Sequence, residues 1–141
     1  MPFTKIWIHL IFSTKNRSPL ITEELKPLLI GHIITNAKEK NIFIDSINCV
    51  FDHIHILVSM NNDHSVSKVV QLLKGESSFW VNKQQLSKYR FEWQEEYIAL
   101  SVSDSITGKV RKYIKNQAEH HRVKTFTEEC ESIMKIENAF G

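Results

Sequence analysis

The sequence is poor in the residues that interrupt or staple a chain. Glycine occurs four times and proline three times in 141 residues, so no Gly/Ser/Pro-rich linker joins separate domains. The two cysteines, Cys49 and Cys130, form neither a CxxC pair nor a Cys/His zinc spacing. That excludes a disulfide scaffold and a zinc knuckle, and it suits a reducing, cytoplasmic setting. No apolar run approaches about 18 residues, so no membrane span is expected. The opening stretch MPFTKIWIHLIFSTKNR carries Lys5 and His9 inside its apolar run and lacks a small-residue cleavage site. It reads as a strand, not a signal peptide. A GxxxxGK(S/T) phosphate loop is missing, which argues against ATP-driven chemistry. Excess charge is small: 18 Lys+Arg against 16 Asp+Glu leave +2, which neither demands nor excludes nucleic acid.

What remains is ordinary globular composition, 42% hydrophobic and 24% charged. It implies one domain over residues 1–141, with the tail from about residue 126 read as peripheral. Residues 3–14 alternate, with Ile6, Ile8, Leu10 and Phe12 on one face and Lys5, Trp7, His9 and Ser13 on the other. That period is a strand. Thr22 before an acidic first turn predicts a helix to about Lys40. Residues 42–51 and 53–60 read as two strands. Ser65 or Ser67 caps a second helix on to Phe79 and Trp80, a charged stretch follows over 83–96, and 97–103 alternate as a fourth strand. Asp104 or Ser105 caps a third helix to about His121, and 127–135 add a short last helix. The order β-α-β-β-α-β-α predicts an α+β fold. It is a ferredoxin-like split β-α-β, with a four-stranded antiparallel sheet, helices on one face and an extra C-terminal helix. The other face is expected to be free for a ligand.

Two constellations carry chemistry. His53-Ile54-His55 lies in an apolar strand, so both imidazoles share a face with Cα atoms roughly 6–7 Å apart, within reach of one ion. Asp52 precedes them as an orienting partner or outer ligand. In SITGKVRKYIKNQAEHHR, Lys109, Lys112, Tyr113, Asn116, Gln117 and His120 share one helix face, while Ile106, Val110, Ile114 and Ala118 form the docking stripe. Tyr113 and Gln117 lie one turn apart. Lys109, Arg111, Lys112, Lys115, Arg122 and Lys124, opposed only by Glu119, make this the most basic segment, suited to phosphate. Taken alone, either constellation also fits a solvated surface.

Together with HLIFSTKNRSPLI, LLKGESS and WQEEYIALSVSDS, the HIH pair and the Tyr113-Ile114-Lys115-Asn116-Gln117 run make the sequence resemble the single-tyrosine, HUH-type transposases of small insertion sequences, with REP-associated tyrosine transposases as close relatives. Glu96 and Glu76 depart from the family pattern, where a small and a basic residue are frequent. The resemblance implies cleavage and rejoining of single-stranded DNA through a 5′-phosphotyrosine on Tyr113. It implies a divalent metal, Mg²⁺ or Mn²⁺, on His53, His55 and Gln117. It implies DNA hairpins as partners, and an obligate homodimer in which the tyrosine helix of one chain can complete the other chain's site. Candidate DNA contacts are Lys15, Asn16, Arg17, Lys74, Ser77, Ser78, Arg111, Lys112, Lys115 and His120. Trp7 and His9 are read as base-stacking candidates on the open sheet face. The competing readings are a domesticated REP-associated relative, a non-catalytic ferredoxin-like nucleic-acid-binding module, and a metal-dependent hydrolase using His53, His55 and Asp52.

Overall fold

The computed structural model describes residues 5–117, 128–133 and 135. In chain order the elements are β1 (Ile6–Ser13), α1 (Leu25–Glu39), β2 (Phe43–Cys49), β3 (His53–Met60), α2 (Val66–Lys83), β4 (Ile98–Val102) and α3 (Thr107–Lys115). Short 3-10 turns at Lys15–Arg17 and Asp104–Ile106 follow β1 and β4. The sheet order is β2-β3-β1-β4. All three pairings are antiparallel. This is the α+β, split β-α-β plan that the strand order implied.

Local chemistry sets the boundaries. Thr22 Oγ1 accepts from the Leu25 N–H at 3.1 Å and opens α1. Asn41, at φ 59°, closes it. The Ile42 N–H then reaches back to the Ala37 carbonyl at 2.8 Å, a left-handed cap that Asn tolerates. Of the two serines read as caps for α2, Ser65 does the work, accepting from the Lys68 N–H at 3.1 Å. At the start of α3 neither Asp104 nor Ser105 caps by side chain. They lie in the 3-10 turn, and Thr107 Oγ1 donates to the Asp104 carbonyl at 2.9 Å. α3 runs to Lys115, with a turn at Asn116 and Gln117 again helical; the rest of the helix expected to about His121 lies outside the described residues, as does all of 118–127.

The core has two layers. Leu10 and Phe12 of β1, and Ile54, Ile56 and Val58 of β3, point to one face. There they meet Leu25, Leu29, Ile33 and Ala37 of α1, and Val69, Val70, Leu73 and Val81 of α2. Each fully buried Leu or Ile contributes roughly 1.5–3 kcal/mol. The opposite face differs from the expectation of an open ligand surface. Leu57 and Val102 there meet Ile106, Val110 and Ile114, so α3 docks across it. The reason is the apolar stripe of α3, which has to be buried against something. The tail also departs from its peripheral reading. Residues 128–133 are helical, and Cys130 and Ile133 pack on Ile11 of β1. Cys130 and Ile133 lie one turn apart on one side of that helix, which buries them together.

Candidate active site

The site forms between the covered sheet face, α3 and the 128–133 segment. Strand period puts His53 and His55 on that face, and both are fully buried. The two rings lie 5.3 Å apart, centroid to centroid. Asp52 Oδ1 sits 2.7 Å from His53 Nδ1, and Glu129 Oε2 sits 2.8 Å from His53 Nε2. The other oxygen, Glu129 Oε1, lies 3.0 Å from His55 Nε2, but off the direction needed for a hydrogen bond. On its far side, His55 Nδ1 meets His9 Nε2 at 2.9 Å. One ligand atom each from His53, His55 and Glu129 lie within 4.8 Å of one another.

Charge follows from this packing. Burial opposes a proton on His53, yet the Asp52 and Glu129 carboxylates at its two nitrogens raise its pKa above the usual value. His55, by contrast, is held neutral: burial brings it down to about 3. Burial also opposes charge on Glu129, but the hydrogen bond to His53 and the close approach of His55 win, and its carboxyl titrates below the usual range. Tyr113 lies on α3 with its ring centroid 5.9 Å from that of His55. Burial first, and the negative charge of Glu129 second, push the phenol above its ordinary value, so it is protonated at neutral pH. Gln117, just past α3, is fully buried, and neither amide atom finds a hydrogen-bond partner among the described residues.

The structure brings His53, His55, Asp52 and Tyr113 together. Glu129 was not singled out in the sequence. It sits in TEECES, with no spacing that ties it to the histidines some 75 residues earlier, so only tertiary structure reveals it. His9 is buried against His55 and cannot stack on a base, and Trp7 donates its Nε1–H to Asp104 Oδ1 at 3.0 Å.

The candidate DNA contacts divide. Lys15, Asn16, Arg17, Lys112 and Lys115 are exposed. Lys15 pairs with Glu92 at 3.2 Å, and Asn16 and Arg17 take φ of 57° and 52° in the turn after β1. Arg111 is engaged by Asp45. Lys74 Nζ is tied inward to the carbonyls of Gln94 and Glu95. Ser77 is buried, donating to the Leu73 carbonyl at 2.6 Å and accepting from Trp93 Nε1 at 2.8 Å. Ser78 donates to the Lys74 carbonyl at 3.0 Å. These last three therefore serve the fold in this arrangement. His120 lies outside the described residues. No described helix is long and apolar enough to cross a membrane.

The site thus sets the paired-histidine strand of a ferredoxin-like sheet against a tyrosine on a late helix. Comparison with known proteins gives the particular family. The IS200-like transposase model matches residues 2–117, and the chain belongs to that family. It is 33% identical over 121 residues to the transposase of insertion sequence IS200 from Salmonella typhimurium, covering 82% of this chain and 78% of that one. It is 26% identical over 114 residues to the ISDra2 transposase TnpA of Deinococcus radiodurans, covering 77% of this chain and 81% of that one. A crystal structure of a Deinococcus radiodurans R1 transposase superposes with TM-score 0.62 at 25% identity, over 82% of this chain and 93% of that one. A REP-associated tyrosine transposase bound to a REP hairpin shares the fold, with TM-score 0.62 at 16% identity, over 86% of this chain and 72% of that one.

Proposed function

We propose that this transposase cleaves and rejoins single-stranded DNA at hairpin-bearing ends, in the cytoplasm, through a covalent 5′-phosphotyrosine on Tyr113. The observation that carries the reading is the placement of the Tyr113 ring against His55, beside the His53–His55–Glu129 cluster. The Tyr113 oxygen attacks the scissile phosphorus, the bond from phosphorus to the 3′ oxygen breaks, and a free 3′-OH leaves. A phenol is a far better leaving group than an alcohol, so a 3′-OH can later displace it and reseal the strand without ATP. The attacking phenol must lose a proton, and burial makes that costly in the resting arrangement. The proton lost by the phenol is matched by the one that the departing 3′ oxygen takes up to leave as a 3′-OH.

The donor set fits a divalent ion. Two imidazole nitrogens and a carboxylate converge within 4.8 Å, and the buried Gln117 amide still lacks a partner among the described residues. His53, His55, Glu129 and Gln117 would hold it. Mg²⁺ or Mn²⁺ would supply polarisation of the scissile phosphate. A carboxylate oxygen makes the set harder than two imidazoles and an amide, which favours these ions over softer ones. Asp52 fixes the His53 ring. Lys15, Asn16, Arg17, Lys112 and Lys115 offer exposed contacts for the DNA backbone, and Arg111 can join them once released from Asp45. One tyrosine holds one DNA end, so joining two ends needs two chains. We propose a homodimer in which the tyrosine helix can serve the partner's histidines.

The test is a denaturing gel of the protein with labelled single-stranded DNA from the flanks of its own gene. It is run with Mn²⁺, with EDTA and with Tyr113→Phe. A metal-dependent adduct lost in Tyr113→Phe is the expected result. Cleavage that survives Tyr113→Phe sinks the reading in favour of hydrolysis by water. Binding with no cleavage points to a non-catalytic module.

A further inference from the structure

His9 is a fully buried imidazole that plays no part in the reaction as described above. It lies on β1, opposite Leu57 of β3, and so diagonal to His55 on the same sheet face. Its Nε2 is 2.9 Å from His55 Nδ1, and the two rings are 5.1 Å apart at 42°. Two imidazoles can share one hydrogen bond in only two ways. If His9 Nε2 donates, the proton of a neutral His55 sits on Nε2, where it blocks any ion. If His55 Nδ1 donates, its Nε2 keeps a lone pair pointing toward Glu129 and Tyr113.

We propose that His9 is a positioning residue whose Nε2 accepts the Nδ1–H of His55, fixing the tautomer that presents His55 Nε2 to the cluster. This inference rests on reading His53 and His55 as metal ligands. The same device is visible beside it, where Asp52 holds His53 Nδ1 at 2.7 Å. Ligating histidines commonly give their second N–H to a carboxylate, a carbonyl or water. Here the second histidine uses a neutral imidazole instead. The site thus gains orientation at His55 without a further negative charge next to Glu129.

Histidine tautomers are read by long-range ¹H–¹⁵N NMR on the protein in excess Mg²⁺, which would separate His55 Nε2 from the Glu129 carboxylate 3.0 Å away, and Mn²⁺ binding by calorimetry. Wild type, His9→Leu, His9→Gln and His55→Ala are compared. Wild-type His55 should carry its proton on Nδ1. In His9→Leu the proton should move to Nε2, and Mn²⁺ affinity should fall about 10–100-fold. His9→Gln, whose amide oxygen sits near the position of the lost Nε2, should restore the tautomer and most of the affinity. A wild-type proton on Nε2 overturns the proposal. So does a His9→Leu protein with unaltered tautomer and unaltered Mn²⁺ affinity. If His9→Leu does not fold, the wild-type tautomer and the His9→Gln titration decide alone. If no protein binds Mn²⁺ while the tautomer shifts as stated, the metal reading fails and the positioning role stands.

Discussion

Asp45 and Arg111 form a two-pronged ion pair, with Arg111 Nε 2.7 Å from Oδ1 and Nη2 3.0 Å from Oδ2. The pair ties α3 to β2. It exists because the β2–β3 register slips between Ile44 and Ser46, leaving Asp45 unpaired in a bulge. Three residues further along β2, Asn48 Nδ2 donates to the carbonyls of Ile114 at 2.9 Å and Lys115 at 3.2 Å. These are the last carbonyls of α3. The clasp therefore holds the Tyr113 helix on the sheet of its own chain.

The clasp should fade in acid. The Arg111 hydrogen bond keeps the Asp45 carboxyl below its ordinary value. A carboxyl lowered in the folded state stabilises fully above its unfolded pKa, near 4, and loses that contribution as pH falls through the folded value. The difference in thermal midpoint between wild type and Asp45→Asn should stay level from about pH 7 to 5 and shrink below about 4. A difference that grows in acid would contradict the assignment.

Glu129 should act on stability and on metal affinity separately. Glu129→Ala leaves the His53 Nε2–H without an acceptor in a buried site. The metal-free protein should lose about 1–3 kcal/mol in urea unfolding. Mn²⁺ affinity should fall by about 10-fold or more if the carboxylate binds the ion. Lost stability with unchanged affinity would show that Glu129 only ties the two imidazoles together, leaving His53, His55 and Gln117 to bind the ion.

The fold was legible because its signals are local. β3 is bounded by His53 and Met60 in both sequence pattern and structure, since an uninterrupted alternation leaves one choice of face. The same period put His53 and His55 side by side. The docking of α3 was not legible. That Ile106, Val110 and Ile114 form a stripe is visible in the sequence, but not that it docks on the histidine face. Glu129 and His9 meet the histidines across long stretches of chain, and neither has a spacing that announces it. Ser77 looked like a phosphate contact because hydroxyls near Lys74 suit phosphates. Its neighbour in space, Trp93, was invisible to that argument.

That contrast gives a paired prediction. Ser77→Ala removes the acceptor of the buried Trp93 Nε1–H. It should cost about 1–3 kcal/mol in urea unfolding and leave the affinity for single-stranded DNA unchanged below the transition. Lys112 is exposed on α3. Lys112→Ala should leave stability nearly unchanged, weaken DNA binding across sequences, and reduce the salt slope of the binding constant by about 0.7. Exchanged phenotypes would return Ser77 to the DNA surface.

Gln117 gives a prediction of unusual sign. Its amide is fully buried, and neither polar atom has a partner among the described residues. Such a group costs about 1–3 kcal/mol against an apolar side chain of similar shape. Gln117→Leu should therefore raise the thermal midpoint of the protein in EDTA. An ion that binds only the folded state adds about 2.7 kcal/mol at 100-fold its dissociation constant, so MnCl₂ should raise the wild-type midpoint further. Gln117→Leu should lose part of that increment, and His55→Ala should lose all of it. Each substitution thus moves the midpoint in EDTA and the metal increment independently. A Gln117→Leu protein less stable in EDTA than wild type would show that the amide has a structural partner. An undiminished metal increment in the same variant would remove Gln117 from the ion's ligands and leave the two histidines with Glu129.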